Sequence, residues 1–358
     1  MNIMGRTLTL DEIDAIRAQT HHAALVYLTD RCPVGCAHCS VNALPRGPRP
    51  ADPALTERLV SELCAMDRIR LVGISGGEPF GERRLLERVT SRLAEAGKQL
   101  VLYTSGNWGR DDGTAPGWTR DVLARASCVV LSTDGYHAAR IPEPRYLAAL
   151  RAAADAGAWI AVQVLGSQAE KAEAARLLTA AFGVTWREMA EIRGTPLLPR
   201  GRAAGKGPQM SAGSAVMATV PTDIGGGTPS GLMRSRAAKP GPSFGPTFGP
   251  CRLLGAPVVR YDGRVTACCN EDVVTGQGPP SLHATAAQPG ELRDRLDAMR
   301  RDPFLRAMRS TGPGAIARLP RYRGTGGRDI CSLCWDLLGH GADTDPAVRL
   351  LAVIGRPA

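Results

Sequence analysis

The sequence predicts an α/β fold, a partial (β/α)6 TIM-like barrel followed by a small cysteine-rich C-terminal domain. Short apolar runs alternate with amphipathic helical stretches over residues 23–198. A segment rich in glycine and proline follows at 199–250, and cysteines recur from Cys251 onward. About six strand–helix units indicate a parallel sheet with outer helices, short of the eight units of a closed barrel.

These changes in composition divide the chain into five predicted segments. They are an N-terminal extension (1–22), the partial barrel (23–198), a linker or loop (199–250), a cysteine-bearing domain (251–340) and a C-terminal tail (341–358). Long segments without periodicity are either functional loops or disordered linkers. The sequence leaves that choice open for residues 199–250.

Six apolar runs are the candidate strands of the barrel. They are residues 24–29, 69–75, 99–104, 128–132, 159–165 and a sixth near 187–193. Residues that typically begin or end helices lie between these apolar runs. Asp52 and Pro53 form an N-cap and a first helical turn. Gly97 and Gly157 stand where helices end with a left-handed residue.

The composition excludes some functional classes and favours metal chemistry. The formal net charge of +10 comes mostly from arginines scattered along the sequence, so we expect a solvated basic surface and no nucleic-acid partner. Neither a targeting segment nor a membrane-length apolar stretch is evident, which predicts a soluble cytoplasmic protein without a membrane partner. Ten cysteines then indicate metal or catalytic use, because the reducing cytosol does not maintain structural disulfides.

Three cysteines lie close together directly after the first candidate strand. Cys32, Cys36 and Cys39 can converge on one metal centre from a single loop. Zinc is the alternative, but structural zinc sites usually have four ligands in paired knuckles. Three thiolates suit a cubane iron–sulfur cluster that keeps one iron open for a further ligand.

The Cys-x3-Cys-x2-Cys spacing resembles the signature of radical S-adenosylmethionine (SAM) enzymes. His38 stands where that family has an aromatic or histidine residue near the adenine. Gly76, Gly77, Glu78 and Pro79 follow the second strand and resemble the family's glycine-rich motif, which contacts the methionyl amino group of SAM. Only glycine allows so close an approach of the backbone to a ligand.

Polar residues follow the third and fourth strands. Ser105, Asn107, Ser132 and Asp134 resemble the family's ribose- and carboxylate-contacting positions. They can equally be ordinary turn formers. Just beyond the fourth strand, Tyr136 and His137 are candidate substrate contacts, with loop packing as the alternative.

The second set of cysteines resembles the SPASM/Twitch extension of many radical SAM enzymes. Its members are Cys251, Cys268, Cys331 and Cys334, enough to saturate one auxiliary [4Fe–4S] cluster. Asp-Gly at 262–263 predicts a hairpin over residues 258–270. No cysteine follows Cys334, which favours the shorter Twitch type with one cluster, and structural zinc is the alternative.

The resemblance implies that SAM binds the open iron of a catalytic [4Fe–4S] cluster. An electron from a donor such as flavodoxin or ferredoxin then produces a 5′-deoxyadenosyl radical, which abstracts a hydrogen atom from the substrate. We expect maturation of a ribosomally made peptide by cross-linking, oxidation or epimerisation in natural-product biosynthesis.

Two other functions compete with peptide maturation. One is a dehydrogenase or epimerase of a small carbohydrate- or aminocyclitol-like metabolite, and about twenty residues before the barrel are too few for a leader-peptide-binding domain. The other, a non-enzymatic iron–sulfur electron carrier, would not need the glycine motif.

Cys269 is adjacent to the cluster candidate Cys268. Neighbouring side chains of an extended hairpin point to opposite faces, so Cys269 should point away from the auxiliary iron. It is therefore a candidate hydrogen-atom donor to a substrate radical, which would make the enzyme an epimerase. The alternative is a spare thiol packed as a small apolar group.

Overall fold

The computed structural model describes residues 7–204 and 248–354. Its strands are β1 (Ala23–Tyr27), β2 (Leu71–Ser75), β3 (Gln99–Thr104), β4 (Cys128–Ser132), β5 (Trp159–Leu165), β6 (Ala190–Thr195), β7 (Val258–Arg260), β8 (Arg264–Thr266) and β9 (His283–Thr285). Within the described residues these nine form one sheet, in the order β6-β5-β4-β3-β2-β1-β7-β8-β9. Most of the predicted linker (205–247) and the chain ends at 1–6 and 355–358 lie outside the described residues.

The first six strands form the predicted partial barrel. Each pairs in parallel with the next one along the chain, from β1 to β6, so the α/β fold class is confirmed. β1 ends and β2 begins two residues inside the predicted bounds. β6 begins at Ala190, later than predicted, because Trp186–Glu188 forms a 3-10 turn before it.

The described helices lie mainly between the barrel strands and in the C-terminal part. They are α1 (Leu10–Ala18), α2 (Pro53–Cys64), α3 (Arg83–Glu95), α4 (Thr119–Leu123), α5 (Gly135–Ala138), α6 (Glu143–Asp155), α7 (Gln168–Phe182), α8 (Glu271–Val274), α9 (Glu291–Arg301), α10 (Pro303–Ser310), α11 (Pro313–Ala317), α12 (Ile330–Gly339) and α13 (Pro346–Ile354). Asp52 caps α2 by accepting a hydrogen bond from the Leu55 N–H. Gly97 and Gly157 follow α3 and α6 with positive φ values of 71° and 80°. In the described part of the chain, no helix combines the length and apolarity that crossing a membrane requires.

The C-terminal part continues the barrel sheet. β7 pairs in parallel with β1, and β8 and β9 follow as antiparallel strands, so the predicted hairpin extends the sheet beyond its first strand. Apolar residues of both parts, such as Leu86 and Phe304, belong to one buried cluster. Residues 268–274 are therefore brought close to the cysteine loop that follows β1.

Helix α1 covers the interior of the barrel at the end opposite the cysteine loop. Leu10 and Ile13 pack with Leu71, Val101 and Cys128 in a second buried cluster. Cys128 is a core residue, as expected from its apolar surroundings. The apolar helix pattern around Cys64 also predicts a buried core residue, but that thiol is half-buried near the end of α2 and contacts the Arg92 carbonyl oxygen at 3.5 Å.

Candidate functional site

A cavity of about 360 Å³ opens at the carboxyl ends of the parallel strands. The predicted site residues on its wall are Cys32, Cys36, His38, Cys39, Gly76, Gly77, Ser105, Ser132, Asp134, His137 and Cys269. The carboxyl ends of parallel strands are where α/β barrels carry their active sites. Residues from the cysteine loop, the strand ends and the C-terminal part therefore meet at one place.

The loop that bears the three cysteines is tied down by backbone hydrogen bonds. Cys32 N–H donates to the Leu44 carbonyl at 2.9 Å. The Arg202 side chain donates to the Cys36 carbonyl at 2.6 and 2.9 Å, and its N–H donates to the Cys39 carbonyl at 3.0 Å. Burial and the nearby Glu78 carboxylate raise the pKa of the Cys32 thiol to about 11. The segment that leaves the barrel thus holds the cysteine loop in shape.

The glycine motif lies directly against the cysteine loop. Gly77 N–H donates to the Thr29 carbonyl at 2.6 Å, and Glu78 N–H donates to the Arg31 carbonyl at 2.9 Å. A Cβ atom at Gly76 would lie 2.7 Å from the Thr29 oxygen, and one at Gly77 would lie 2.3 Å from the Arg31 oxygen. Both positions therefore require glycine for close packing of the two loops.

Glu78 has a positioning role in this structure. Its side chain is 2% exposed, and neither it nor Pro79 lines the cavity. Its carboxylate accepts hydrogen bonds from Thr104 Oγ1 (2.8 Å), Ser105 N–H (2.8 Å) and Ser105 Oγ (2.5 Å). Burial raises the pKa of Glu78 in spite of these bonds. Glu78 thereby links the glycine motif to the end of β3.

Asp134 organises two histidines on the opposite wall. Its Oδ2 lies 3.2 Å from His38 Nε2 and 2.9 Å from His137 Nδ1, and its Oδ1 accepts from the Tyr136 and His137 N–H groups. Burial opposes ionisation, but hydrogen bonds from the histidines hold the pKa of Asp134 well below its usual range. Burial alone would lower the pKa of His137, yet hydrogen bonds with Asp134 and the Cys36 thiol raise it to about 10.

Besides Glu78 and Pro79, two further residues of the predicted SAM and substrate sets, Asn107 and Tyr136, lie off the cavity wall. Asn107 follows the end of β3, where its N–H contacts Ser105 Oγ at 3.4 Å. Tyr136 stacks on His38 with ring centroids 4.5 Å apart. The cavity is also lined by residues outside the predicted set, Tyr27, Tyr103 and Glu271 among them, which carry no sequence motif.

An ion-paired network joins the cysteine loop to β7. Arg260 is 4% exposed and donates to Asp30 Oδ2 at 2.7 Å, and Tyr261 Oη donates to the same oxygen at 2.6 Å. The Arg260 guanidinium also lies 4.7 Å from the centroid of the Tyr27 ring. Because a buried charge needs a partner, this network holds the C-terminal part against the loop.

The second cysteine set gathers in the C-terminal part. Burial, followed by the charges of Cys269, Cys251 and Cys334, raises the pKa of Cys268 well above its usual value. Cys331 likewise contributes to the raised pKa values of Cys251 and Cys334. Mutual electrostatic influence of this kind requires the thiols to lie close together.

Cys269 lies on the wall of the main cavity. Arg17, on α1, donates to its Sγ at 3.4 Å. Burial raises the pKa of Cys269, although the nearby Arg17 lowers it, so the net direction favours the protonated thiol. No motif pointed to Arg17, because its contact with Cys269 joins residues 252 positions apart.

The site fits an iron–sulfur cluster with a bound organic ligand. Three thiols share the cavity with Gly76 and Gly77, whose missing Cβ atoms let the glycine motif pack directly against the backbone of the cysteine loop. His38 Nδ1 is buried and has no hydrogen-bond partner among the described residues, which is costly unless a ligand provides one.

Comparison with known proteins agrees with this geometry. Residues 26–125 match the Radical SAM superfamily. YydG of Bacillus subtilis (strain 168), named as a peptide biosynthesis protein, is 25% identical over 114 residues, which is 32% of this chain and 36% of YydG. The PqqA peptide cyclase of Methylobacterium sp. (strain 4-46) is 38% identical over 84 residues, 23% of this chain and 21% of the cyclase. The chain thus spans about a third or less of these relatives.

Two solved structures share a more distant likeness. BtrN, solved with AdoMet and 2-DOIA, has a TM-score of 0.45 at 14% identity, covering 83% of this chain and 90% of BtrN. SuiB of Streptococcus suis, solved with S-adenosylmethionine, has a TM-score of 0.48 at 14% identity, covering 92% of this chain and 76% of SuiB. The cysteine loop and the glycine motif lie inside residues 26–125, the part of the chain that matches the Radical SAM superfamily, whose cofactors are SAM and a [4Fe–4S] cluster.

Proposed function

We propose that this chain uses radical SAM chemistry to mature a ribosomally made peptide in natural-product biosynthesis. The observation that carries the proposal is that the three-cysteine loop, the two glycines of the glycine motif and Cys269 line one cavity. The peptide substrate is supported by the sequence likeness to YydG and to the PqqA peptide cyclase, whose names refer to peptides.

Each group on the cavity wall has a proposed task. Cys32, Cys36 and Cys39 hold the catalytic [4Fe–4S] cluster, and the glycine motif leaves room for the methionyl end of SAM. When bound, cluster and SAM together supply a 5′-deoxyadenosyl radical that removes a hydrogen atom from a C–H bond. The chain itself binds and orients the reactants, and its buried wall excludes water from them.

We assign the four C-terminal cysteines to one auxiliary [4Fe–4S] cluster. Replacing Cys334 by alanine should lower the iron content from about eight to about four atoms per chain, because both clusters are cysteine-ligated. SAM cleavage to 5′-deoxyadenosine should persist while product is lost. Iron analysis and chromatography of the nucleosides measure the two effects.

The control for this variant is Cys64→Ala, which removes a half-buried thiol outside both sets and should keep about eight irons. Because cluster binding and folding are coupled, circular dichroism must first show that the Cys334 variant is folded. Stoichiometric zinc in the reconstituted wild type would refute the auxiliary cluster.

Cys269 is proposed to donate a hydrogen atom to the substrate radical. Its thiol lines the same cavity as the three-cysteine loop and is held by Arg17. The S–H bond breaks as the new C–H bond forms on the other face of the substrate carbon. The remaining thiyl radical regains one electron from the donor protein and one proton from solvent.

Turnover in deuterated water tests this role. The Cys269 thiol exchanges its proton with solvent, so wild-type enzyme should place one deuterium at an inverted carbon. Cys269→Ser should lose inversion and deuterium but still form 5′-deoxyadenosine, whereas Cys64→Ser should behave as wild type. Unchanged product from the Cys269 variant, without deuterium, would leave cross-linking or oxidation as the reaction.

Co-expression with candidate precursor peptides from neighbouring genes tests the substrate class. Mass spectrometry should detect the loss of two hydrogens on cross-linking or oxidation, and chiral amino-acid analysis should detect an epimer of unchanged mass. Unmodified peptides, with 5′-deoxyadenosine formation that depends on an added aminocyclitol, would instead establish the small-metabolite alternative.

A further inference from the structure

A second cavity, of about 830 Å³, lies between α1, the loop before β2, the segment after Cys251, and helices α9 and α10. Seven arginines line it and no aspartate or glutamate does. They are Arg17, Arg68, Arg252, Arg300, Arg301, Arg306 and Arg309. We call this the arginine cavity. It meets the candidate site at Arg17, whose guanidinium contacts Cys269.

Helix chemistry explains only part of this cluster. Arg300 and Arg301 occupy the last turn of α9, where cations favour the helix dipole. The same reason applies to Arg17 in the last turn of α1 and to Arg309 in the last turn of α10, but not to Arg68, in the loop before β2, or to Arg306, in the interior of α10. Their convergence therefore exceeds what local structure requires.

Most of the positive charge in the cavity is uncompensated. Arg17 and Arg300 have carboxylate partners, Asp14 at 3.9 Å and Asp297 at 3.2 Å. Arg306 and Arg309 donate instead to backbone carbonyls, at 3.2 and 3.4 Å. For the five arginines other than Arg17 and Arg300, the described residues provide no ion pair.

The positive charge of these arginines lowers the pKa of basic groups beside the cavity. Burial and the adjacent Arg306 and Arg300 lower the pKa of Arg309 to about 10. Burial and three of the arginines lower the pKa of His21 to about 3. Cations that destabilise one another in this way favour an anionic partner.

The positions of the seven arginines favour a large partner that carries several carboxylates. Arg68, Arg252 and Arg301 are exposed at the rim, while Arg17, Arg300, Arg306 and Arg309 are half-buried. Guanidinium groups bind carboxylates in a bidentate manner. Seven guanidinium groups, spread over this volume, are more than one small anion can contact.

Cys251, a proposed ligand of the auxiliary cluster, lines the same cavity.

We propose that the arginine cavity is the docking surface for an acidic one-electron donor protein of the flavodoxin class. Docking there places the donor's redox group beside Cys251. The donor loses one electron, and the iron–sulfur centres of the enzyme gain it. The location beside Cys251 rests on the proposed function, whereas the docking itself does not.

The test is binding of flavodoxin to the anaerobically reconstituted holoenzyme, measured by calorimetry at several salt concentrations. Arg68→Glu combined with Arg301→Glu should weaken binding by at least about tenfold and reduce its salt dependence. The control combines Arg84→Glu with Arg120→Glu, two exposed arginines outside the cavity with the same charge change. It should bind flavodoxin as the wild type does.

A second readout separates docking from chemistry. 5′-Deoxyadenosine formation driven by flavodoxin should fall in the Arg68/Arg301 variant, while formation driven by dithionite should not, because dithionite needs no docking surface. Equal weakening in the control, or unchanged flavodoxin affinity in the cavity variant, would overturn the proposal. So would loss of poly-glutamate binding with flavodoxin binding retained, which would assign the cavity to an acidic peptide. If the enzyme proves not to cleave SAM, the calorimetric affinity for flavodoxin still tests the docking surface independently.

Discussion

Replacement of Cys36 by alanine is expected to abolish reductive cleavage of SAM and to lower the iron content by about four atoms per chain. The Cys36 thiol lies on the cavity wall, while Arg202 holds its backbone carbonyl. Alanine therefore removes a proposed cluster ligand and the thiol's hydrogen bond with His137, while the hydrogen bonds of the loop backbone stay in place. Iron analysis, the visible absorbance of the iron–sulfur clusters, and 5′-deoxyadenosine formation with dithionite measure the effect.

Cys64→Ala is the matched control for Cys36→Ala, because it also removes one thiol but lies outside the cavity. It should retain both clusters and cleave SAM at the wild-type rate. SAM cleavage at that rate by the Cys36 variant would contradict the assignment of the catalytic cluster. Melting curves of the two variants separate a local loss of iron from a general loss of the fold.

Gly77→Ala is expected to abolish SAM binding and to lower the free energy of unfolding by about 1–3 kcal/mol, the usual cost of overpacking. The added methyl group would lie 2.3 Å from the Arg31 carbonyl oxygen and 2.6 Å from its carbon, both backbone atoms. To relieve that clash, the glycine motif must move away from the cysteine loop. The cavity wall that Gly76 and Gly77 form beside the three thiols is then displaced. Calorimetric titration with SAM and urea unfolding measure the two effects.

Gly81→Ala provides a control on the same segment. A Cβ atom at Gly81 would meet nothing within 4 Å, and this glycine does not have a positive φ. The variant should bind SAM normally and be at least as stable as the wild type, because alanine restricts the unfolded chain. Equal SAM affinity in the Gly77 and Gly81 variants would show that the glycine motif is not part of the SAM-binding site.

The amino-acid sequence alone determined the barrel strands and located the two loops that lie in the part of the chain matching the Radical SAM superfamily. Strand and helix periodicity is local, so six strands followed from apolar runs, and Gly97 and Gly157 marked the helix ends that the structure contains. The three-cysteine loop and the glycine motif could be identified from the sequence because each is a short contiguous segment. The late start of β6 reflects a 3-10 turn that apolar residues alone do not reveal.

The tertiary structure decided how these segments meet. The parallel pairing of β7 with β1 joins residues more than 230 positions apart and brings Cys269 to the cavity. Glu78, a motif residue by sequence, lies buried beneath the cavity because its carboxylate bonds to Ser105 and Thr104. Seven of the arginines that appear scattered along the sequence, where they predicted only a solvated basic surface, converge in one cavity. Such contacts depend on the path of the whole chain, whereas sequence patterns report only the neighbours of each residue.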